Sequence, residues 1–330
     1  VTTHPEFLRA VLVFLKARGA SSIAVGDSPA WQGSLSAARQ AGMYAVAQEE
    51  GARWVDFQAT VSHPAPMARL VKNFMLSEAV SDCDLIINLP KLKTHRLMHY
   101  TGAIKNLFGL VPGFAKSGFH LRFPDTKAFG TMLVDLALSL PACFTFMDGI
   151  VAMEGEGPGN GTAYPLGLLL ASKDLAALDW VGAQCIGYEP SRIPYLVDAM
   201  ERNRHKIDDK GTITTAPGNI DSLKARKFAL IPYTSGISST IEALPQIIRP
   251  FIRKFAIDRP IFSASSCIGC LACVKICPVQ ALDLEKKAKN RIRIDDKACI
   301  TCFCCHEVCP ASAIHIGKVL RRPFRSRKPR

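Results

Sequence analysis

Missing from these 330 residues is any apolar run long enough to span a bilayer; the longest, such as TMLVDLALSLPACFTFM, are broken by Asp135 and Pro141. No signal-peptide pattern is visible behind Val1. Acidic residues are missing from the last stretch, GKVLRRPFRSRKPR, which carries seven Lys or Arg, so the formal charge of +13 falls to +6 without it. The basicity is therefore mostly a tail, and nucleic-acid binding ranks last among the functions it would suggest. Residues 318–330 are expected to be a solvated, disordered end. The sharper alternative is peripheral contact with an anionic membrane or an acidic redox partner. A secreted disulfide framework is also excluded, because eight of the twelve cysteines crowd into two short runs. That usage predicts a reducing compartment, the cytoplasm.

The two runs are CIGCLACVKICPVQALDL from Cys267 and CITCFCCHEVCPASAIHI from Cys299, a repeat at an offset of 32 residues. Both read C-x2-C-x2-C-x3-C-P, the spacing at which three thiolates wrap one iron–sulfur cubane and the fourth crosses to the other. Cluster 1 is expected on Cys267, Cys270, Cys273 and Cys309, and cluster 2 on Cys299, Cys302, Cys305 and Cys277. The second run holds a fifth cysteine, Cys304, which aligns with Ala272 and is the spare. Structural zinc needs one tetrahedral set of four ligands, and two complete runs that each end in Cys-Pro argue against it. Two [4Fe–4S] clusters are the expected cofactors; a further flavin or metal is left open. Cys83, Cys143 and Cys185 sit in apolar surroundings and read as core filling.

Ahead of the cysteines, strands alternate with helices. TTHPEFLRAVLVFLKARGA predicts an amphipathic helix, residues 34–50 a second, and TGAIKNLFGL, TKAFGTMLVDLALSL, DLAALDWVGAQCIG and SRIPYLVDAMERN further ones. SSIAVGDSP, WVDFQ, DCDLIINLP, CFTFMDGIVAM, LGLLLASKD and KFALIP read as strands. The order predicts an α/β domain with a largely parallel sheet and flanking helices over residues 1–240, opened upstream by a strand that is not in this sequence. A proline-interrupted connector is expected at 241–261, and a small α+β ferredoxin-like domain at 262–317.

Ligands of open α/β sheets gather beyond the carboxyl ends of strands. Three polar segments fall there: GDSP with Asp27, NLPKLKTHRLMHYTGAIKNLFGLVPG, and MDGIVAMEGEGPGNGT with Glu154 and Glu156. The second follows a strand with Lys91, Lys93, Arg96 and Lys105 and no acid nearby, a pattern suited to phosphate or carboxylate. His95 and His99 would share a face if helical, but no third metal ligand accompanies them. The glycine-rich third segment matches neither G-x-x-x-x-G-K-[ST] nor G-x-G-x-x-G. His95, Lys93 and Glu154 are the candidate catalytic residues, with His95 as proton donor; Asp27, Lys91, Lys105, Asn106 and Glu156 are the candidate substrate contacts.

PKLKTHRLMHYTGAIKNLFGLVPG, MDGIVAMEGEGPGNGT and LLLASKDLAALDWVGAQCIG together resemble the family of the domain of unknown function 362, over about residues 1–235. The resemblance implies an iron–sulfur protein with a C-terminal ferredoxin module. It also implies an upstream strand bearing Lys-Pro-Asn, so that part of any site would be missing. It supplies no reaction. Two classes of function follow. One is a redox enzyme or enzyme subunit whose clusters exchange electrons with a small anionic substrate or cofactor. The other is a non-catalytic ferredoxin-type carrier, or an assembly or activation factor, that docks a redox partner protein.

Overall fold

Pro5 at the first turn, with His4 Nδ1 accepting from Glu6 N–H, starts the first helix of the computed structural model, α1 (Pro5–Ala17). Its Phe7, Leu8, Val11 and Leu12 form the buried stripe that the sequence periodicity predicts. The chain forms two compact units, Val1–Ile231 and Pro232–Arg330. The residues described are 2–29, 33–113, 115–202, 213, 216, 219–233, 258–285 and 291–317. The expected connector, apart from residues 258–261, and the expected disordered tail lie outside them.

In the first unit β1 (Ala24–Asp27) pairs in parallel with β2 (Arg53–Asp56). The single helix expected at 34–50 is two, α2 (Ser34–Gln40) and α3 (Met43–Glu49), because Gly42 takes a φ of 75° between them. A hairpin that the sequence reading missed follows, β3 (Thr60–Pro64) with β4 (Asn73–Ser77). Asp135, buried in α6 (Thr126–Ser139), pins its turn: the carboxylate accepts from the N–H groups of Arg69, Leu70 and Val71 at 2.7, 2.7 and 3.0 Å.

The main sheet is organised by β8 (Cys143–Glu154). Its first half pairs in parallel with β5 (Ile86–Asn88) and its second with β6 (Lys91–His95); Pro90 separates the two, its carbonyl accepting from Asp148 N–H. These pairings supply the parallel heart of the α/β architecture. Antiparallel strands complete the sheet: β7 (His99–Thr101) on β6, with β9 (Thr162–Tyr164) and β10 (Leu168–Ser172) on β8. The short α4 (Ala103–Asn106), α5 (Ala115–Arg122), α6, α7 (Leu175–Cys185) and α8 (Pro194–Arg202) flank it, and α9 (Ile220–Leu223) follows. KFALIP is not a strand. It is held by single bonds instead: Ala229 N–H donates to Glu154 and its carbonyl accepts from Gly155 N–H, and Ile231 N–H donates to Tyr188 Oη.

The second unit repeats itself. Strand β11 (Arg259–Phe262) pairs with β14 (Ile314–Gly317), and β12 (Leu282–Leu284) with β13 (Ile292–Ile294). Two short helices, α10 (Ala272–Ile276) and α11 (Cys304–Glu307), lie at equivalent points of the repeat. The left-handed residues recur at the same offset: Leu271 with Phe303, Gln280 with Ser312, Gly269 with Thr301.

Candidate functional site

The C-terminal repeat builds two hollows. Cys267, Cys270, Cys273 and Cys309 line the first among apolar side chains such as Phe262 and Ile314. Cys277, Cys299, Cys302 and Cys305 line the second, together with Cys304. Each C-x3-C-P cysteine therefore sits with the other run's triplet. Backbone N–H groups reach that crossing sulfur symmetrically, from Ala281 to Cys277 Sγ and from Ala313 to Cys309 Sγ, both at 3.2 Å. Four thiols around an apolar hollow fit the corners of a cubane, and the N–H donors suit an electron-rich sulfur. As a free thiol, Cys273 is pushed up to about 11 by burial, so its proton leaves only when iron takes the sulfur. Among the described residues no three His, Cys, Asp or Glu side chains converge as they would on a single metal ion.

In the first unit the structure brings the first polar segment to the second around Asp27 and Ser28, while the third meets the second through Asp148, Gly155 and Glu156. Asp27 ends β1 and accepts from Ser28 N–H at 2.7 Å. Ser28 is tied to α5 and the turn before it: Gly113 N–H donates to Ser28 Oγ at 2.9 Å, and Lys116 Nζ to Ser28 O at 2.6 Å. Burial pushes the Lys116 ammonium down to about 8, Asp27 working against that and Lys105 adding to it. Lys105, on α4, also lies close enough to depress His95 and His120. His95 ends β6, and its imidazole is held well below its ordinary value by burial first, then by Lys105 and Lys93. Its Nδ1 accepts from Leu97 and Met98 N–H at 3.1 and 3.3 Å, which leaves the proton of the neutral ring on Nε2. Lys105 thus lies near both His95 and His120, with Lys93 beside His95 and Lys116 between Lys105 and Asp27. Lys116 and His120, stacked on Phe129 at 4.4 Å, went unnoticed in the sequence because they follow the glycine-rich turn by several residues.

α4 is clamped from three sides. Asp179, fully buried on α7, accepts from Ala103 and Ile104 N–H at 2.5 and 2.9 Å. Asn88 donates to Ala103 O at 3.0 Å, and Asn106 donates to Asn88 Oδ1 at 2.8 Å. Gly102 is required here, since a Cβ would stand 2.1 Å from Asp179 Oδ1 and 2.6 Å from Tyr100 Oη.

Other candidates are placed differently from the expectation. Lys91 does have an acid: its ammonium pairs with Asp148 at 2.5 Å, both groups largely buried, and that partner lies 57 residues away on β8. Glu154 accepts from Ala229 N–H at 2.6 Å, and Glu156 pairs with Arg96 at 3.4 Å. Their loop packs on Thr94, whose Oγ1 donates to Gly155 O, and strand alternation turns Thr94 away from the side of Lys93 and His95. His95 and His99 are not on a helix but face each other across the β6–β7 hairpin. Cys185 is fully buried, as core filling predicts, while Cys83 and Cys143 are only partly covered.

Buried neutral histidines carry a pH dependence. Burial holds His99 at about 4 and His120 at about 3, with His95 also well below its usual range. Folded values beneath the unfolded value of about 6.5 mean stability that is complete above that pH and lost as pH falls. The three together cost about 3–4 kcal/mol per pH unit below 6. Asp179, pushed up to about 7 by burial, has the opposite sign and returns about 1 kcal/mol per pH unit. A net loss of about 2 kcal/mol between pH 6 and pH 5 is expected in urea unfolding followed by tryptophan fluorescence. All three tryptophans, Trp31, Trp54 and Trp180, lie in the first unit. A flat profile would mean that the imidazoles are accessible.

Comparison with known proteins adds three findings. Residues 1–184 match the family model described as "Domain of unknown function (DUF362)". Residues 259–310 match that of the 4Fe-4S dicluster domain. The thylakoid-associated protein sll1697 of Synechocystis sp. is 36% identical over 201 residues, and the alignment takes in 61% of this chain and 61% of that protein. Two [4Fe–4S] clusters are therefore the cofactors of the C-terminal unit, and its role is iron–sulfur electron transfer. No helix among the described residues is long and apolar enough to cross a membrane.

Proposed function

The chain belongs to the DUF362 family with a 4Fe-4S dicluster domain behind it, and from that premise we propose an iron–sulfur redox protein, an enzyme or enzyme subunit, that exchanges electrons with an anionic substrate or cofactor. Cluster 1 is held by Cys267, Cys270, Cys273 and Cys309, and cluster 2 by Cys299, Cys302, Cys305 and Cys277. Each bound cluster supplies one-electron chemistry. The substrate lies at the sheet end of the 1–240 domain, against Lys93 and Lys105, with Asp27, Asn106 and Lys116 at its margin. The observation that carries this reading is the gathering of Lys93 and Lys105 around His95, a buried imidazole kept neutral, with Lys116 close to Lys105 and Asp27. Cations so placed stabilise negative charge that an arriving electron creates, and neutral His95 offers its Nε2–H to the same atoms. Having clusters and site on one chain raises the effective concentration of the donor. The cytoplasm is the compartment, supported by the commitment of eight cysteines to clusters.

Native mass spectrometry of the full chain, purified without oxygen, tests this. Mass beyond the polypeptide and two clusters is expected, and it should disappear in Lys93→Ala/Lys105→Ala while both clusters stay. A wild-type mass of chain plus clusters alone would favour the electron carrier that docks a partner protein.

A further inference from the structure

The helix α1 is apolar on two sides. Phe7, Leu8, Val11 and Leu12 face the core, yet Ala10, Val13, Phe14 and Ala17 form a second stripe at i, i+3, i+4 and i+7, and it is exposed. Val13 is 49% and Phe14 41% open to solvent. The apolar surface runs on across the sheet. Phe14 meets Phe146 of β8 edge to face at 5.9 Å, and Phe146 meets Phe144 at 4.9 Å. Strand register sets Ala171 of β10 beside Phe146 and Leu169 beside Asp148, so these side chains point to the same side, where Leu169 is 54% exposed. The opposite side of the sheet is closed: Thr145 and Met147, which alternate with Phe144 and Phe146, are fully buried. A helix apolar all round beside an open apolar sheet margin marks a surface that meets something other than water.

The charge at its rim selects the occupant. Arg18 lies over the Phe14 ring at 4.8 Å, and Lys173, exposed one residue past β10, continues the row of Leu169 and Ala171. Among the described residues neither cation has an acid within ion-pair distance. The acids nearby are taken: Glu6, Glu49 and Glu50 by Arg9 and Lys16, Asp148 by Lys91, and Asp174 by the first turn of α7. A second copy of the chain laid on this face would bring the same two cations and no acid to meet them. Fixed negative charge above an apolar layer matches both the rim and the centre. We propose that the α1–β10 face rests on an anionic phospholipid bilayer, with Val13, Phe14 and Leu169 entering the acyl boundary and Arg18 and Lys173 holding headgroup phosphates. The contact uses none of the residues assigned to the anion site.

The full chain, loaded anaerobically with its clusters, would be sedimented with vesicles of phosphatidylcholine alone and with vesicles containing about 30% phosphatidylglycerol. Binding is expected to the mixed vesicles and not to the neutral ones. Arg18→Gln combined with Lys173→Gln should weaken it by about fivefold for each cation. Leu169→Gln should weaken it by about fivefold through the lost apolar contact. Phe14→Ala removes more but also disturbs Phe146, so Leu169→Gln, in the open row, carries the test if that variant does not fold. Iron content and circular dichroism should match wild type in the variants compared. Equal binding by wild type and every variant would hand the contact to the basic stretch after Gly317 and overturn the proposal. Absence of binding to the mixed vesicles would overturn it too. A dimer in sedimentation velocity that Leu169→Gln breaks would make a second copy the occupant instead.

Discussion

Cys277→Ala combined with Cys299→Ala is expected to lose no more iron than either substitution alone, about four of eight atoms per chain, whereas Cys277→Ala combined with Cys267→Ala loses all of them. The reason is the crossing. Cys277 follows Cys273 closely in sequence but lines the hollow of Cys299, Cys302 and Cys305. Cys309 likewise lines the hollow of Cys267, Cys270 and Cys273. Two substitutions in one cluster remove the same object, so their effects do not add; substitutions in different clusters do. Iron and acid-labile sulfide counts on anaerobically prepared protein read the result directly. Four irons retained in the Cys277/Cys267 pair, and none in the Cys277/Cys299 pair, would place each fourth cysteine with its own run.

The same contrast explains what could be read without a structure. Cluster chemistry was legible because its determinants are local: three thiolates and a proline at fixed spacing, written twice. Helices of the first unit such as α1, α6, α7 and α8 were legible for the same reason, since periodicity and caps such as His4 act within one or two turns, whereas α5 and the break at Gly42 were not. What the sequence hid is held by partners from elsewhere. Lys91 reads as an uncompensated cation because Asp148 stands 57 positions on. Ala229 takes its partner from a glutamate 75 residues earlier, so KFALIP has a strand-like composition without a strand to pair with. The Lys93–Lys105 segment was recognised as site-like. Its helical turn was read in TGAIKNLFGL, but its β6–β7 hairpin depends on β8 and has no local signal.

Asp179→Ala is expected to cost the first unit about 2–6 kcal/mol, because it strips acceptors from two backbone N–H groups, about 1–3 kcal/mol each. Ala103 and Ile104 are buried, at 0% and 2% exposure, so water cannot replace the lost carboxylate without opening the fold. Such a loss is a large part of the roughly 5–15 kcal/mol that holds an ordinary domain together. Asp179→Asn keeps one acceptor and should lose less. It should also abolish a pH effect of known sign. Burial raises this carboxyl to about 7, so its contribution is complete below the unfolded value near 4 and is lost as pH rises through 7. Wild type is therefore expected to lose stability relative to Asp179→Asn between pH 6 and pH 8, in urea unfolding followed by tryptophan fluorescence. A cost under about 1 kcal/mol for Asp179→Ala would mean that α4 is held by packing alone. The consequence reaches function through one turn of helix: Lys105 and Asn106 ride on α4, and Gly102 admits the carboxylate that fixes it. A chain that has lost this clamp should keep both clusters and yet bind anions poorly, separating the fold of the site from the supply of electrons.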